Sequence, residues 1–275
     1  MGKYTGIIIV SDIDGTFLSR IPENYEKNVR AIEKFKSEGG IFTFATGRDF
    51  HSLISVVPDA EDIVNAPIIV ANGAKLYDPK TKQNIIDASL NMPVFKEFIK
   101  LIFEKYPDIG VRFGGNDMIV VPRLNDMILD DFNTMMKPKL NLKRLREIPI
   151  DEIGDMAKCV IVHNPEILDD VQKMGEEFDK EQNFYFSKSY ARGLEAVNKD
   201  YTKGKTTKKL KEYLNIPNGI LYAVGDYYND TDMISSADIG VCPENAVDVI
   251  KGLAKIITKS CDDGAIADLL DFLHN

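Results

Sequence analysis

The chain has 275 residues, 44% of them hydrophobic and 28% charged, enough for two modest domains with sizeable cores and incompatible with a disordered or fibrous protein. Its 34 basic and 43 acidic residues give a formal charge of -9, the wrong sign for covering a nucleic-acid backbone or an anionic membrane, so small ligands are the expected partners. Cys159, Cys242 and Cys261 lie far apart without zinc-finger or redox spacing and read as reduced thiols, which suits a cytoplasmic protein. The N-terminal apolar run is too short for a signal peptide, and no stretch reaches membrane-spanning length.

In chain order, Ile7 to Val10 is a first strand. Tyr25, Val29, Ile32 and Phe35 then share one helical face, with Gly39 and Gly40 where a left-handed helix end would sit. Ile41 to Ala45 is a second strand, Phe50, Leu53, Ile54 and Val57 line a short helix, and Ile68 to Ala71 is a third strand, a βαβαβ pattern. From the turn Asp78-Pro79-Lys80-Thr81-Lys82 the grammar changes. Helices are expected around Phe95 to Ile102, Leu124 to Met136 and Ile167 to Phe178, and strands at Val111 to Phe113, Met118 to Val121, Cys159 to Val162 and Phe184 to Phe186. Alternation returns with a helix over Thr206 to Leu214, strands at Ile220 to Val224, Ile239 to Val241 and Ile256 to Ile257, and a final helix carrying Ile266, Leu269, Leu270 and Leu273. The expectation is an α/β core built from residues 1–80 and 190–275, with an α+β domain, residues 81–189, spliced into it.

Ligands of open parallel sheets bind beyond the carboxyl ends of the strands. Those positions here are Asp12-Ile13-Asp14-Gly15-Thr16, Thr46-Gly47-Arg48, Asn72-Gly73 and Gly225-Asp226-Tyr227-Tyr228-Asn229-Asp230. Asp12, Asp14, Asp226 and Asp230 converge on one rim, and such carboxylates repel one another unless a cation compensates them. An all-oxygen set of carboxylates beside phosphate oxygens suits Mg²⁺.

With these motifs the chain resembles the haloacid dehalogenase superfamily, and within it the Cof-like sugar-phosphatase branch, subfamily IIB, whose large α+β cap is inserted between the second and third motifs. The ordered set adds Ala45 and Ala74 at the flanks of the early motifs, Lys203-Gly204, Glu244-Asn245-Ala246 and Asp263-Gly264, all in the two ends of the chain. The middle matches only in size and α+β character. Lys205 and Asp200 depart from the family, which usually has a small residue and Gly there.

The resemblance implies a Rossmann-like parallel-sheet core with an inserted α+β cap, and a Mg²⁺-dependent phosphatase of small phosphate monoesters, notably sugar phosphates. It implies that Asp12 attacks phosphorus to give an aspartyl-phosphate and that Asp14 is general acid and base. Mg²⁺ would be held by the Asp12 carboxylate, the Asp14 backbone carbonyl and Asp226, with Asp230 behind them. Thr46, Gly47 and Lys203 would hold the phosphoryl oxygens with help from Asn229. Arg48 and Asn72 are assigned to substrate, facing the space between core and cap. A phosphomutase uses the same aspartate pair and is the nearest alternative. A non-catalytic sugar-phosphate sensor would usually have lost Asp12 or Asp14.

Other signals carry ordinary explanations. Gly204-Lys205-Thr206 lacks the earlier glycine of a nucleotide-binding loop, since Lys199 stands there. His51, His163 and His274 are scattered. Lys137, Lys139, Lys143, Arg144 and Arg146 read as a solvated basic face, Asn245 as the cap of a helix beginning at Ala246, and Phe95, Phe98, Phe132 and Phe178 as core of the insertion.

Overall fold

The computed structural model describes residues 2–115, 118–135 and 144–274. It divides into two compact units, Met1–Ile86 with Tyr201–Asn275, and Asp87–Asp200. In chain order the first unit carries β1 (Ile7–Ser11), α1 (Pro22–Ser37), β2 (Ile41–Phe44), α2 (Phe50–Val56), α3 (Ala60–Ile63), β3 (Ile68–Val70), β4 (Lys75–Asp78) and β5 (Gln83–Asp87). The second carries α4 (Met92–Lys105), β6 (Gly110–Gly115), β7 (Met118–Val121), α5 (Asp126–Met135), β8 (Leu145–Glu147), β9 (Lys158–Val162), α6 (Pro165–Phe178), β10 (Phe184–Tyr190) and β11 (Gly193–Asn198). The chain then returns to the first unit with α7 (Lys203–Tyr213), β12 (Ile220–Val224), α8 (Thr231–Ser236), β13 (Ile239–Pro243), α9 (Asp248–Leu253), β14 (Ile256–Thr258) and α10 (Ala265–His274). Both divisions fall later than residues 80 and 189. All of β5 but its last residue stays with the first unit, and β10 with β11 forms a hairpin of the second.

The main sheet of the first unit is parallel, in the order β14-β13-β12-β1-β2, with Ile9 opposite both Tyr222 and Phe42. Parallel strands covered on both faces read as unbroken apolar runs. On one face Ile9, Phe42, Phe44, Val224 and Val241 pack with Ile32 and Phe35 of α1 and with Ile266 and Leu269 of α10. On the other Ile8, Val10, Ala223 and Cys242 pack with Leu210 of α7, Met233 of α8 and Ile250 of α9. Pro22 opens α1 with its φ already set for a helix, and Gly39 takes the positive φ expected just beyond its end.

The third strand departs from the βαβαβ expectation. β3 meets the main sheet through a single parallel bridge, Ala45 to Ile69, and pairs antiparallel with β4 in a separate three-stranded sheet, β3-β4-β5. Ala71 and Asn72, at φ 52° and 54°, reverse the chain directly after Val70, so the next strand runs back along β3.

In the second unit six strands run in the order β10-β11-β9-β6-β7-β8, antiparallel except for the β7–β8 pair. Along β9, Cys159 and Ile161 join Phe95, Phe98, Leu168 and Val171 on one face. Val160 and Val162 join Ile128 and Phe132 of α5 on the other, so the alternation of a strand between two layers explains five buried residues in a row. Phe95, Phe98 and Phe132 are core, with Phe178 packed against it. Met136, Lys137, Lys139 and Lys143 lie outside the described residues. Cys159 and Cys242 are buried free thiols and Cys261 is a half-buried one. Among the described residues no helix is long and apolar enough to cross a membrane.

Candidate active site

The chemistry-bearing residues of the first unit sit where its parallel strands end. Asp12 follows β1 and its amide donates to Val224 O at 2.8 Å, which ties the end of β1 to that of β12. Asp226 and Asp230 come from the loop after β12, and Lys203 is the first residue of α7. Asp12, Asp226 and Asp230 each offer an oxygen within 4.8 Å of the others. Lys203 Nζ donates to Asp12 Oδ1 at 2.6 Å and to Asp230 Oδ1 at 2.7 Å, with its side chain fully buried. Asp230 Oδ2 accepts the amides of Asp226 (3.0 Å) and Tyr227 (3.2 Å). Both of its oxygens are therefore engaged inside the protein, whereas Asp12 and Asp226 each have a second oxygen outside these bonds.

Three carboxylates face one ammonium, and the electrostatics follow from that imbalance. Burial pushes Asp12 well above the usual carboxylate range; Lys203 opposes it, and Asp230, Asp226 and Asp14 add to it. Burial and Asp230 push Asp226 up to about 7, against the Thr16 hydroxyl, which donates to Asp226 Oδ1 at 2.9 Å. Burial works against the Lys203 charge, but Asp12 and Asp230 outweigh it and hold its ammonium above the ordinary lysine value. A hard divalent cation fits this donor set. It would relieve carboxylate repulsion that protons otherwise absorb, and Asp12 and Asp226 are the side chains positioned to hold it.

Close approach shapes the loop after β1. Gly15 has φ +78°, and a Cβ there would lie 2.4 Å from Asp226 Oδ2, so only glycine lets this turn pass the Asp226 carboxylate.

The remaining sequence-predicted residues, Asp14, Thr46, Gly47, Arg48, Asn72 and Asn229, lie on the neighbouring loops. Asp14 is half exposed, and its carboxylate accepts a two-pronged ion pair from Arg48, Nε to Oδ2 and Nη2 to Oδ1, both 2.7 Å. Arg48, expected to face substrate, thus grips Asp14, and its Nη1 donates to Ser52 Oγ at 3.0 Å. Thr46 is buried at the end of β2, its hydroxyl accepting the Arg48 amide at 3.1 Å. Asn72, also expected at substrate, is buried and accepts from Asn229 Nδ2 at 3.1 Å, while a Cβ on Gly47 would sit 3.1 Å from Asn72 Oδ1. The Asn229 amide group is thereby turned to Asn72.

Asn245 is not a helix cap. Its Nδ2 donates to Gly15 O at 2.7 Å and its Oδ1 accepts the Cys261 amide at 2.8 Å, so it stitches the Asp12–Thr16 loop to the loop after β14. The helix that follows begins at Asp248, not Ala246. Thr16 and Asn245 stand within the sequence motifs, but their contacts could not be read there, because their partners lie 210 and 230 positions away.

A family model for haloacid dehalogenase-like hydrolases matches residues 9–270. The chain belongs to that family, and its fold is that of the Cof-like subclass IIB branch. Among curated relatives, 5-amino-6-(5-phospho-D-ribitylamino)uracil phosphatase YitU of Bacillus subtilis is 25% identical, with 96% of each chain covered. The HMP-PP phosphatase of Yersinia pseudotuberculosis is 24% identical over 87% of this chain and 84% of its own. Among solved structures, the subclass IIB sugar phosphatase BT4131 superposes with a TM-score of 0.82 at 21% identity, covering 98% of this chain and 99% of its own. TM0651 from Thermotoga maritima does so at 0.71 and 26%, covering 97% of each. The enzyme class that follows is a phosphoric monoester hydrolase.

Proposed function

We propose that this chain is a Mg²⁺-dependent phosphatase that hydrolyses small phosphate monoesters, sugar phosphates among them, through an aspartyl-phosphate at Asp12. The observation that carries the reading is the buried Asp12–Lys203–Asp230 chain beside Asp226, an acidic site with one ammonium at the carboxyl end of a parallel sheet. Relatives named as phosphatases of phosphorylated small molecules support the substrate class.

Lys203 fixes one Asp12 oxygen and leaves the other to attack phosphorus as the bond to the leaving alkoxide breaks. Lys203, Thr46 and the Gly47 amide then stabilise the phosphoryl oxygens on which charge develops. Asp14 delivers a proton to the alkoxide and takes one from the water that attacks the aspartyl-phosphate, releasing phosphate and restoring Asp12. The Arg48 fork occupies both Asp14 oxygens, so it opens before either oxygen carries a proton. Mg²⁺ held by Asp12, the Asp14 backbone carbonyl and Asp226 would neutralise charge on the phosphate. The inserted unit is read as the substrate-specificity domain, in keeping with its place between the second and third motifs.

Purified protein assayed with Mg²⁺ against a panel of phosphomonoesters tests this reading, with free phosphate and isomerised product both measured. Release of phosphate from sugar phosphates supports it. Isomerisation without release means a phosphomutase, and binding without turnover means a sensor.

A further inference from the structure

The buried ammonium of Lys203 raises a structural problem of its own. A lysine loses several rotatable bonds when it is fixed, and as the first residue of α7 it places a cation at the positive end of a helix. The backbone under it must therefore be anchored. Thr202 supplies part of the anchor, its hydroxyl accepting the Lys205 amide at 3.3 Å. The Gly204 amide donates to Asp232 Oδ2 at 2.9 Å. The approach is closer still at the main chain: a Cβ on Gly204 would stand 2.6 Å from the Asp232 carbonyl oxygen. Gly204, which in the sequence looks like a phosphate-loop glycine, is thus the residue that lets Asp232 seat against the first turn of α7.

We infer that Asp232 is a positioning residue that fixes the reach of Lys203 to Asp12 by clamping the first turn of α7. Asp230 and Asp232 belong to one short segment, a single 3₁₀ turn at Tyr228–Asp230 running into α8. Asp230 meets the Lys203 ammonium at 2.7 Å and Asp232 meets the peptide just beyond its Cα. One segment grips the lysine at both ends. The Thr202 hydroxyl also reaches the Asp232 carboxylate, so Asp232 touches the residues on both sides of Lys203. This inference takes the role of Lys203 from the proposed function, and its test separates the two.

The test compares wild type, Asp232→Ala and Asp232→Asn as the full chain, with two readouts. The first is kcat/KM for a phosphomonoester in Mg²⁺, also in a Lys203→Met background. Losing a hydrogen bond to a charged acceptor corresponds to roughly a 10- to 100-fold fall for Asp232→Ala, and Asp232→Asn, which keeps an acceptor oxygen, recovers most of it. With Lys203 removed, Asp232→Ala causes no further loss. The second readout is trace acetylation of lysines followed by mass spectrometry, with exposed Lys208 as internal reference. Lys203 becomes several times more reactive in Asp232→Ala and stays protected in Asp232→Asn. If Asp232→Ala does not fold, Asp232→Ser, whose shorter side chain withdraws from Gly204, takes its place. An equal loss with and without Lys203, or wild-type labelling of Lys203 in the Ala or Ser variant, overturns the inference. If the wild type hydrolyses no phosphomonoester, the proposed function falls while the labelling still decides the role of Asp232.

Discussion

The two units each bury a cluster of charges, and the clusters are built on opposite principles. In the inserted unit Arg112 Nε donates to Asp131 Oδ2 at 2.9 Å with Tyr190 donating to the other oxygen, and Lys158 Nζ donates to Glu195 Oε2 at 2.8 Å with Ser189 donating to the other. Each cation has its carboxylate and each carboxylate a second donor. Burial pushes Glu195 up, yet Lys158 and Ser189 outweigh it and hold it below the usual glutamate range. In the other unit Asp12, Asp226 and Asp230 share Lys203, and Asp12 and Asp226 are driven upward. A paired buried charge is costly to break because removing one partner strands the other, whereas crowded carboxylates are driven upward as they are in reactive clefts.

The largest effect that would break this contrast lies in the unmatched cluster. Asp226→Ala, or a chelator on the wild type, should cut turnover by more than about a thousandfold. Ca²⁺, larger and less strict in geometry, should not restore it. Thermal melts in chelator should show the variant as stable as wild type or more so, because a repelling carboxylate is gone. Full activity in excess chelator would remove the cation from the account.

A smaller and more selective loss is expected at Asp14. With Asp14→Asn, a sugar phosphate, whose alkoxide needs a proton, should slow by roughly 100- to 10,000-fold in its first chemical step. p-Nitrophenyl phosphate should lose far less in that step and show a burst of nitrophenolate before slow turnover. Rapid-mix kinetics on both substrates decide the matter, and equal losses would leave Asp14 without an acid role.

The matched cluster should answer in stability. Glu195→Ala leaves Lys158 buried without its carboxylate, a cost of roughly 3 to 5 kcal/mol visible as a lower urea midpoint. A variant that kept its midpoint but lost turnover would make the network a recognition element instead.

The smallest effects are opposite pH slopes. Asp226 is raised to about 7 in the folded chain, above an unfolded value of about 3.9. Its contribution is fully present below that unfolded value and is lost as pH rises through about 7. Glu195 is lowered, so its contribution is present above an unfolded value of about 4.3 and is lost as pH falls through its lower folded value. The pH dependence of stability in chelator should therefore flatten on the neutral side in Asp226→Asn, where Asp12 still contributes, and on the acid side in Glu195→Gln. Unchanged slopes would contradict the electrostatic contrast.

The unmatched cluster was legible in the sequence because parallel strands buried on both faces print as apolar runs, and Asp12, Thr46 and Asp226 follow such runs directly. Its supports were not. Thr16, Asn245 and Asp232 act on partners brought close only by the fold, 210, 230 and 28 positions away, so the motifs holding Thr16 and Asn245 gave their positions without their contacts, and Asp232 had no local signal at all. The Arg48 grip on Asp14 spans two loops in the same way. In the inserted unit β8 and β11 escaped notice: Gly-Leu-Glu-Ala-Val-Asn in β11 is rich in helix formers, and its strand character comes from Phe184–Tyr190 and Lys158–Val162 on either side. The β3 reversal depended on left-handed Ala71, a conformation its sequence does not announce.

Everything proposed for this site turns on whether Asp12 becomes covalently phosphorylated. Rapid acid quench during turnover of p-nitrophenyl phosphate in Mg²⁺, followed by peptide mass spectrometry, measures this directly. One phosphoryl group is expected on the peptide bearing Asp12, present during the steady state, enriched in Asp14→Asn and absent, together with turnover, in Asp12→Asn. Continued turnover by Asp12→Asn, or a phosphoryl group found on another residue while Asp12 stays unmodified, would contradict it.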